Sequence, residues 1–339
     1  MTARAYNRPP LRGVLVIHPG ALGDVLLARP VLRALRCQFP QHEIALIAAN
    51  AVGSLLCHSA ELDRAFSLEE NYLSQLFAGF ERLSDSFRTW LGQCELVVGW
   101  LSDADGAVTN TLRLAGVQQI QLQTPFSSAL ATTHQADRYW EAVGMEGQRE
   151  DFTSTLKLPA ELERQGQEVL QAYDWDGSSP LILVHPGSGS HNKCMDAWRL
   201  AKVIEWLIEA RMAPMLLEGP ADCRAVAQVL SSLTVPVPVI RELSLSVAAG
   251  VMAQAKLYLG HDSGMTHLAA ALAVPTIACF GPTHASRWSP QGRAVAVISG
   301  MPCVCSDWSK VETCHDKVCL HIPVESLIEA CRSQLLRLS

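Results

Sequence analysis

Apolar runs alternate with amphipathic stretches along the first half of the chain. Continuous apolar runs occupy residues 14–18, 44–50 and 95–100, whereas residues 25–37 and 72–83 are apolar at helical spacing. A short apolar run between turn residues is typical of a buried strand, and apolar positions at i, i+3 and i+4 indicate a helix. This alternation predicts a parallel sheet covered by helices on both faces.

The same pattern starts again in the second half. The run LILVHPG at residues 181–187 repeats the form of VLVIHPG at residues 14–20, and three further strand-to-turn units follow it: APMLLEGP, KLYLGHDSG and PTIACFGP. Between the halves, a charged helix-like stretch ends in the helix breaker DGSSP. The repeat predicts two similar α/β domains.

We therefore predict an α/β protein with two Rossmann-like, doubly wound domains. The first spans residues 1–158 and the second residues 179–339, with a linker at 159–178; the last helix is allowed to pack back on the first domain. Doubly wound sheets bind ligands at the carboxyl ends of their strands. We expect the ligand in a cleft where the two domains face each other.

Composition and charge narrow the function classes. The 339 residues are 49% hydrophobic and 18% charged, which is typical of a globular chain long enough for two domains. A net charge of −6 argues against a general nucleic-acid surface. Because the N-terminus has no apolar signal segment and no run reaches about 18 apolar residues, we expect a cytoplasmic protein. Peripheral contact with the inner membrane face stays open.

The cysteines are concentrated near the C-terminus. A chain of this length does not need a disulfide scaffold, although it has eleven cysteines. Four of them lie in one short segment: Cys303, Cys305, Cys314 and Cys319. Their spacing, CxC followed by CxxxxC, is not that of a standard zinc ribbon. We interpret them as structural thiols, with a metal site or a redox disulfide as the alternatives.

The segment LYLGHDSGMTHLAAAL contains one candidate phosphate site. A strand ends at Gly260, Asp262, Ser263 and Gly264 form the turn, and an alanine-rich helix begins near Met265. A helix N-terminus offers backbone N–H groups and partial positive charge to a phosphate. The alternative is an ordinary helix cap by Asp262 or Ser263.

A second candidate is the glycine- and serine-rich loop HPGSGSHNKCMDAW. Ser188 and the loop N–H groups could cradle a phosphate whose charge Lys193 neutralises, or Lys193 could be a solvated surface lysine. Neither GxxxxGK[ST] nor GxGxxG occurs in the chain. The missing GxGxxG argues against a dinucleotide-dependent oxidoreductase.

The turn GALGD raises the question of catalysis. Gly20 and Gly23 allow tight backbone geometry, and Asp24 falls in the first turn of the next helix. There its charge could simply favour the helix dipole, an effect of about 0.3–1 kcal/mol. It could instead act as a general base on an acceptor hydroxyl. The local residues alone favour the cap.

These motifs together resemble glycosyltransferase family 9, the ADP-heptose:lipopolysaccharide heptosyltransferases. The resemblance rests on GALGDVLLARPVLRALR, HPGSGSHNK and GHDSGMTHLAAALAVPTIACFGPT in this order, and on THQADRYWEAVG. It implies a GT-B fold, with the acceptor in the N-terminal domain and the nucleotide-sugar in the C-terminal domain. It also implies inverting transfer without a metal or another cofactor.

The resemblance assigns roles by position. Asp24 matches the catalytic base, and Gly20 and Gly23 lie on the acceptor side. The donor side comprises Ser188 and Lys193 near the phosphates, Asp262 near the sugar, Ser263, Gly264 and Met265 at the phosphate-binding helix start, Glu218 or Asp222 at the ribose, and Leu243 beside the adenine.

The acceptor side departs from the family pattern. The family has an aspartate and a QG- or HG-like pair after the third strand, where this chain has GWLSDADGAVTNTLRLAG. We interpret its DAD, residues 103–105, as a polar loop and not as a metal-binding DxD. We predict transfer of heptose or a related sugar from an ADP-sugar to a saccharide acceptor, in lipopolysaccharide core or other cell-surface glycan synthesis. A GT-B-like nucleotide-sugar epimerase and a non-catalytic nucleotide-sugar binder are the alternatives.

Overall fold

The computed structural model describes residues 12–125, 133–144 and 154–336. They divide into two compact units, and the second includes a short piece of the N-terminal region. The first unit contains residues 12–21, 28–125 and 136–144, and the second contains residues 22–27, 133–135 and 154–336. Residues 1–11, to which the signal-peptide prediction applies, lie outside the described residues.

Strands and helices alternate along the chain, as the apolar pattern predicts. The strands up to residue 144 are β1 (Gly13–Ile17), β2 (Glu43–Ala48), β3 (Arg64–Ser67), β4 (Cys94–Trp100) and β5 (Gln119–Gln123). The helices there are α1 (Leu22–Leu27), α2 (Arg29–Gln38), α3 (Asn50–His58), α4 (Tyr72–Ala78), α5 (Asp85–Leu91), α6 (Ala107–Leu114) and α7 (Gln135–Ala142), with a 3-10 turn at Phe80–Arg82.

The second half continues this order. Its strands are β6 (Leu181–His185), β7 (Ala213–Leu217), β8 (Val239–Ile240), β9 (Leu257–His261), β10 (Thr276–Phe280) and β11 (Val295–Ser299). Its helices are α8 (Ala160–Ala172), α9 (Ala197–Glu209), α10 (Cys223–Ser232), α11 (Leu245–Ala253), α12 (Gly264–Ala271), α13 (Ala285–Trp288), α14 (Trp308–Glu312) and α15 (Val324–Leu336). The 3-10 turns are His191–Lys193 and Val318–Leu320.

Each half builds one parallel sheet. The first has the order β3-β2-β1-β4-β5 and the second the order β11-β10-β9-β6-β7-β8. Strands β1 and β6, which lead into the two His-Pro-Gly segments, are buried along their full length inside their sheets. Burial on both faces is the environment that a continuous apolar run predicts.

The helix predicted over residues 25–37 is in fact two helices. Helix α1 ends at Leu27 and α2 begins at Arg29, with Pro30 in the first turn of α2. Proline has no N–H to donate to the carbonyl four residues earlier, so a continuous helix is interrupted here. The break separates the short helix that carries Asp24 from α2.

The stretch predicted as a linker contains helix α8, which packs closely on α11 within the second unit. A Cβ atom on Gly166 would lie 2.1 Å from the carbonyl carbon of Gly250. Such close backbone approach requires glycine at the crossing point. In the same unit, α15 packs on α9 and on the strands β9, β10 and β11.

Candidate functional site

The predicted donor-side residues follow neighbouring strands of the second sheet. Ser188 follows β6, Glu218 follows β7, Leu243 follows β8, and Asp262 follows β9. The four strands are consecutive in the sheet, in the order β9-β6-β7-β8, and they are parallel. Their carboxyl ends therefore meet at one edge, which is where doubly wound sheets bind ligands.

Asp262 is the centre of a polar cluster at this edge. Its Oδ2 lies 2.8 Å from Nζ of Lys193 and accepts a hydrogen bond from Oγ1 of Thr283 at 2.6 Å. Ser188 Oγ donates to the backbone oxygen of Asp262 at 2.6 Å. Thus the loops after β6, β9 and β10 are joined at one carboxylate, and the lysine is charge-paired at the sheet edge, not free in solvent.

Sequence reasoning did not assign a role to Thr283. The residue follows β10 in FGPT, one strand away from β9 in the sheet. A hydroxyl residue that follows a predicted strand can be recognised in the sequence as a candidate ligand contact. Strand order is needed to show that β10 lies beside β9.

Ser263 caps helix α12. Its Oγ accepts a hydrogen bond from the backbone N–H of Thr266 at 3.4 Å, so Ser263, and not Asp262, is the N-cap. Gly264 and Met265 occupy the first two helical positions. A cap satisfies only part of the free N–H groups of a helix start, so capping and anion binding are compatible.

Asp222 and Glu218 have different surroundings. Asp222 is buried, and its Oδ2 lies 2.8 Å from Nε2 of His185 and accepts from the backbone N–H of Gly219 at 2.8 Å. Burial raises the pKa of this carboxyl, but the hydrogen bonds outweigh it and the pKa is lowered. Glu218 pairs with the half-exposed Arg241 at 3.2 Å. Glu218 is the more accessible carboxylate of the two.

Asp24 is the third residue of α1, and this helix packs on α12. A Cβ atom on Gly264 would lie 2.9 Å from Cβ of Leu22, and one on Gly23 would lie 2.9 Å from Cδ2 of His267. The half-buried Asp24 is thus held in the first turn of a helix that touches the candidate phosphate-binding helix. Gly23, predicted on the acceptor side, serves this helix contact.

His267 is buried on α12. Burial lowers its pKa to about 4, although the charge of Asp262 acts in the opposite direction. The ring is therefore neutral near pH 7 and contributes shape, not charge, to the contact with α1.

In the first unit, Gly20 belongs to a turn fixed by His18. The backbone N–H of Gly20 donates to Nδ1 of His18 at 3.2 Å. The ring of His18 packs 5.2 Å from the ring of Trp100 and 5.0 Å from that of Tyr139. Burial lowers the pKa of His18 to about 4, so this histidine is neutral.

In the DAD sequence, Asp103 accepts hydrogen bonds from the N-terminal turn of helix α6. Both carboxylate oxygens of Asp103 accept hydrogen bonds from the start of α6, namely from the N–H of Val108 and from the N–H and hydroxyl of Thr109, at 2.6–2.9 Å. The polar-loop interpretation stays a prediction.

The four C-terminal cysteines lie close to one another as free thiols. Cys303 and Cys314 are neighbours of Cys305, and the same two thiols influence Cys319. Burial and the neighbouring thiols raise the pKa of Cys305 to about 11 and that of Cys319 to about 12. In the described ranges, no group of three or more His, Cys, Asp or Glu side chains is arranged to hold a metal ion. The structural-thiol interpretation stays a prediction.

Within the described part of the chain, none of the helices combines the length and apolar composition needed to cross a bilayer.

The family model for glycosyltransferase family 9 (heptosyltransferase) matches residues 118–317. The chain belongs to this family. Lipopolysaccharide heptosyltransferase 1 of Pseudomonas aeruginosa is 31% identical over 191 residues, an alignment that covers 55% of this chain and about half (51%) of that enzyme. Lipopolysaccharide heptosyltransferase 2 of Salmonella typhimurium is 23% identical over 317 residues, covering 85% of this chain and 88% of the relative.

Solved structures of family 9 proteins share the fold. The glycosyl transferase family 9 protein from Veillonella parvula superimposes with a TM-score of 0.78 at 20% identity, covering 96% of this chain and 98% of its own. ADP-heptose lps heptosyltransferase II of E. coli gives a TM-score of 0.75 at 19% identity, with coverage of 96% and 99%. The predicted GT-B fold, the family and the assignment as a glycosyltransferase are confirmed. The predicted domain boundaries stay a prediction.

Proposed function

We propose that this family 9 glycosyltransferase transfers heptose or a related sugar from an ADP-sugar to a saccharide acceptor with inversion at the anomeric carbon. The observation that carries the proposal is the Asp262 cluster beside the start of α12, with the Asp24 helix packed on α12. This arrangement combines donors for a diphosphate with a carboxylate suited to proton removal. The names of the relatives support a lipopolysaccharide or other cell-surface glycan as acceptor.

The donor side supplies the positive charge that the leaving group needs. When the bond between the anomeric carbon and the phosphate oxygen breaks, negative charge develops on the departing ADP. Lys193 and the N–H groups at Gly264 and Met265 offer charge and hydrogen bonds to that diphosphate. Because these groups supply the positive charge, we expect transfer to proceed without a divalent cation.

Asp24 is proposed as the general base. Its carboxylate accepts the proton of the acceptor hydroxyl while the oxygen attacks the anomeric carbon from the face opposite the leaving phosphate. One C–O bond forms as the other breaks, which inverts the configuration. The first turn of α1 is a favourable place for a carboxylate, so the helix cap and the base are compatible roles.

The remaining donor residues are assigned by accessibility. Glu218 is proposed to hold the ribose hydroxyls, because the carboxylate of Asp222 is already occupied by His185 and Gly219. Half-buried Leu243, directly before the Ser244 cap of α11, is proposed to lie beside the adenine. Asp262 and Ser188 are proposed to orient the donor sugar and its phosphates. A cytoplasmic location at the inner membrane face accords with an ADP-sugar donor and stays a prediction.

Two substitutions test the proposal. Asp24→Asn is expected to abolish most of the turnover while ADP binding measured by calorimetry is retained, because the amide cannot accept the proton. Lys193→Ala is expected to weaken ADP binding, because the diphosphate charge loses its partner. Asp24→Asn with normal turnover would remove the base role.

Donor identity and metal dependence have their own test. We expect ADP and ADP-sugars, but not UDP or GDP compounds, to raise the melting temperature, and we expect turnover to persist in EDTA. Conversion of the nucleotide-sugar without any acceptor would instead indicate an epimerase. Binding with no turnover on any acceptor would indicate a non-catalytic binder.

A further inference from the structure

Three consecutive residues of the donor loop each contact one distant segment of the chain. The backbone oxygen of His191 accepts a hydrogen bond from Nζ of Lys317 at 2.9 Å, and Nδ2 of Asn192 donates to the backbone oxygen of Glu312 at 3.3 Å. Nζ of Lys193 lies 5.8 Å from the centre of the Trp308 ring. The whole 3-10 turn is thus contacted by residues 303–319, here named the brace.

The brace is itself well anchored. Asp307 caps α14 by accepting from the N–H of Lys310 at 3.1 Å, and Val311 on that helix is buried. The N–H of Gly300 donates to the oxygen of Cys319 at 2.9 Å, at the base of the brace. The four neighbouring cysteines lie inside the same segment. Trp308 is therefore carried by a fixed helix, although its side chain is 42% exposed.

The Lys193 ammonium has two neighbours. It lies 2.8 Å from the Asp262 carboxylate and over the indole ring of Trp308, 5.8 Å from the ring centre. A lysine side chain in solvent samples many rotamers, and an ion pair alone holds it weakly. A cation near an indole face gains attraction without losing its charge for another anion.

We propose that Trp308 is a positioning residue that keeps Lys193 directed at the donor diphosphate. The proposal rests on the proposed function, because it assumes that Lys193 binds the donor. Trp308 acts through Lys193: the indole limits the lysine to rotamers near Asp262, so less conformational entropy is lost when the diphosphate binds. The brace is then a working part of the donor site, not only a C-terminal structural element.

The expected effect is on donor affinity. Loss of a partly exposed cation–π contact corresponds to about a 2- to 5-fold increase in the Kd for ADP. We expect that increase for Trp308→Ala, with the same increase in the donor KM, a decrease in kcat no larger than this factor, and an unchanged acceptor KM. Trp308→Phe keeps an aromatic face and is expected to restore ADP affinity to within about 2-fold of the original. Val304→Ala, an apolar truncation in the brace at a side chain that is 84% exposed, is the control.

A double-mutant cycle separates positioning from structural support. If Trp308 acts through Lys193, then Trp308→Ala causes no further loss of ADP affinity in a Lys193→Met background. If Trp308→Ala reduces ADP affinity by the same factor with Lys193 and with Met at position 193, the proposal is overturned. It is also overturned if Trp308→Ala lowers the melting temperature so far that partial unfolding explains the weaker ADP binding. An unchanged Kd for Trp308→Ala would overturn it as well. Failure of the proposed function is distinguishable: a wrong ADP-donor assignment would leave the unsubstituted protein unable to bind ADP, and a wrong transferase assignment would show as absent sugar transfer with the ADP affinities unchanged.

Discussion

An alanine at Gly23 tests whether the contact between α1 and α12 sets the position of Asp24. The new Cβ would lie 2.9 Å from Cδ2 of His267, whereas ordinary van der Waals contact begins at 3.4 Å. His267 is buried among packed side chains, so we expect the two helices to separate by about 0.5 Å. Overpacking of this kind costs about 1–3 kcal/mol of stability.

Asp24 follows Gly23 directly and moves with α1. Because a displacement of about 1 Å of a catalytic group can reduce the rate about 100-fold, half of that distance predicts a loss of about 10-fold in kcat. The measurement is ADP release at saturating donor and acceptor, combined with the Kd for ADP by calorimetry. Gly92→Ala is the control, because its Cβ meets only ordinary contacts from 3.5 Å at a helical backbone angle.

Comparing kcat with ADP affinity shows which of the two helices the Gly23→Ala substitution displaces. A kcat loss with normal ADP affinity shows that α1 has shifted the base. Unchanged kcat refutes the reasoning that the packing of Gly23 positions Asp24. A loss of ADP affinity equal to the loss of kcat shows that α12 has moved instead, and this also contradicts the prediction.

Three further predictions concern stability and the donor. Gly166→Ala places a Cβ 2.1 Å from a backbone carbon of α11, so we expect a loss of about 3 kcal/mol or more in the free energy of unfolding, seen as a lower urea midpoint. Glu218→Gln is expected to raise the donor KM with little change in kcat; an unchanged KM would exclude the ribose role. Stability should fall as the pH drops from 6.5 towards 4, because the unfolded chain then binds protons that the buried histidines do not. Burial lowers the pKa of three histidines, His18, His261 and His267, to about 4, and each of them costs about 3 kcal/mol of stability over this range. A melting temperature that stays constant between pH 6.5 and pH 4 would contradict this prediction.

The apolar pattern alone predicted seven of the eleven strands described, the fold class and the two halves. It did not predict four strands that are short or partly exposed, β3, β5, β8 and β11. The runs ending in His-Pro-Gly are continuous because β1 and β6 are buried on both faces, and such burial leaves a direct trace in the sequence. The loops after β6 and β9 were also recognisable, because their serines, glycines and lysine differ in type from the strands before them. Local composition therefore identified where a phosphate site could form.

Tertiary structure decided which of those residues meet. Thr283 reaches Asp262 because β10 lies beside β9, and strand order is not encoded in any local pattern. Asp222 is the weaker candidate for the ribose contact because it is buried against His185, which lies 37 residues away in the chain. The contact of Lys193 with Trp308 likewise joins residues far apart in the chain. Sequence determines the elements through nearby residues, whereas the site depends on contacts that only the packed sheet and helices bring together.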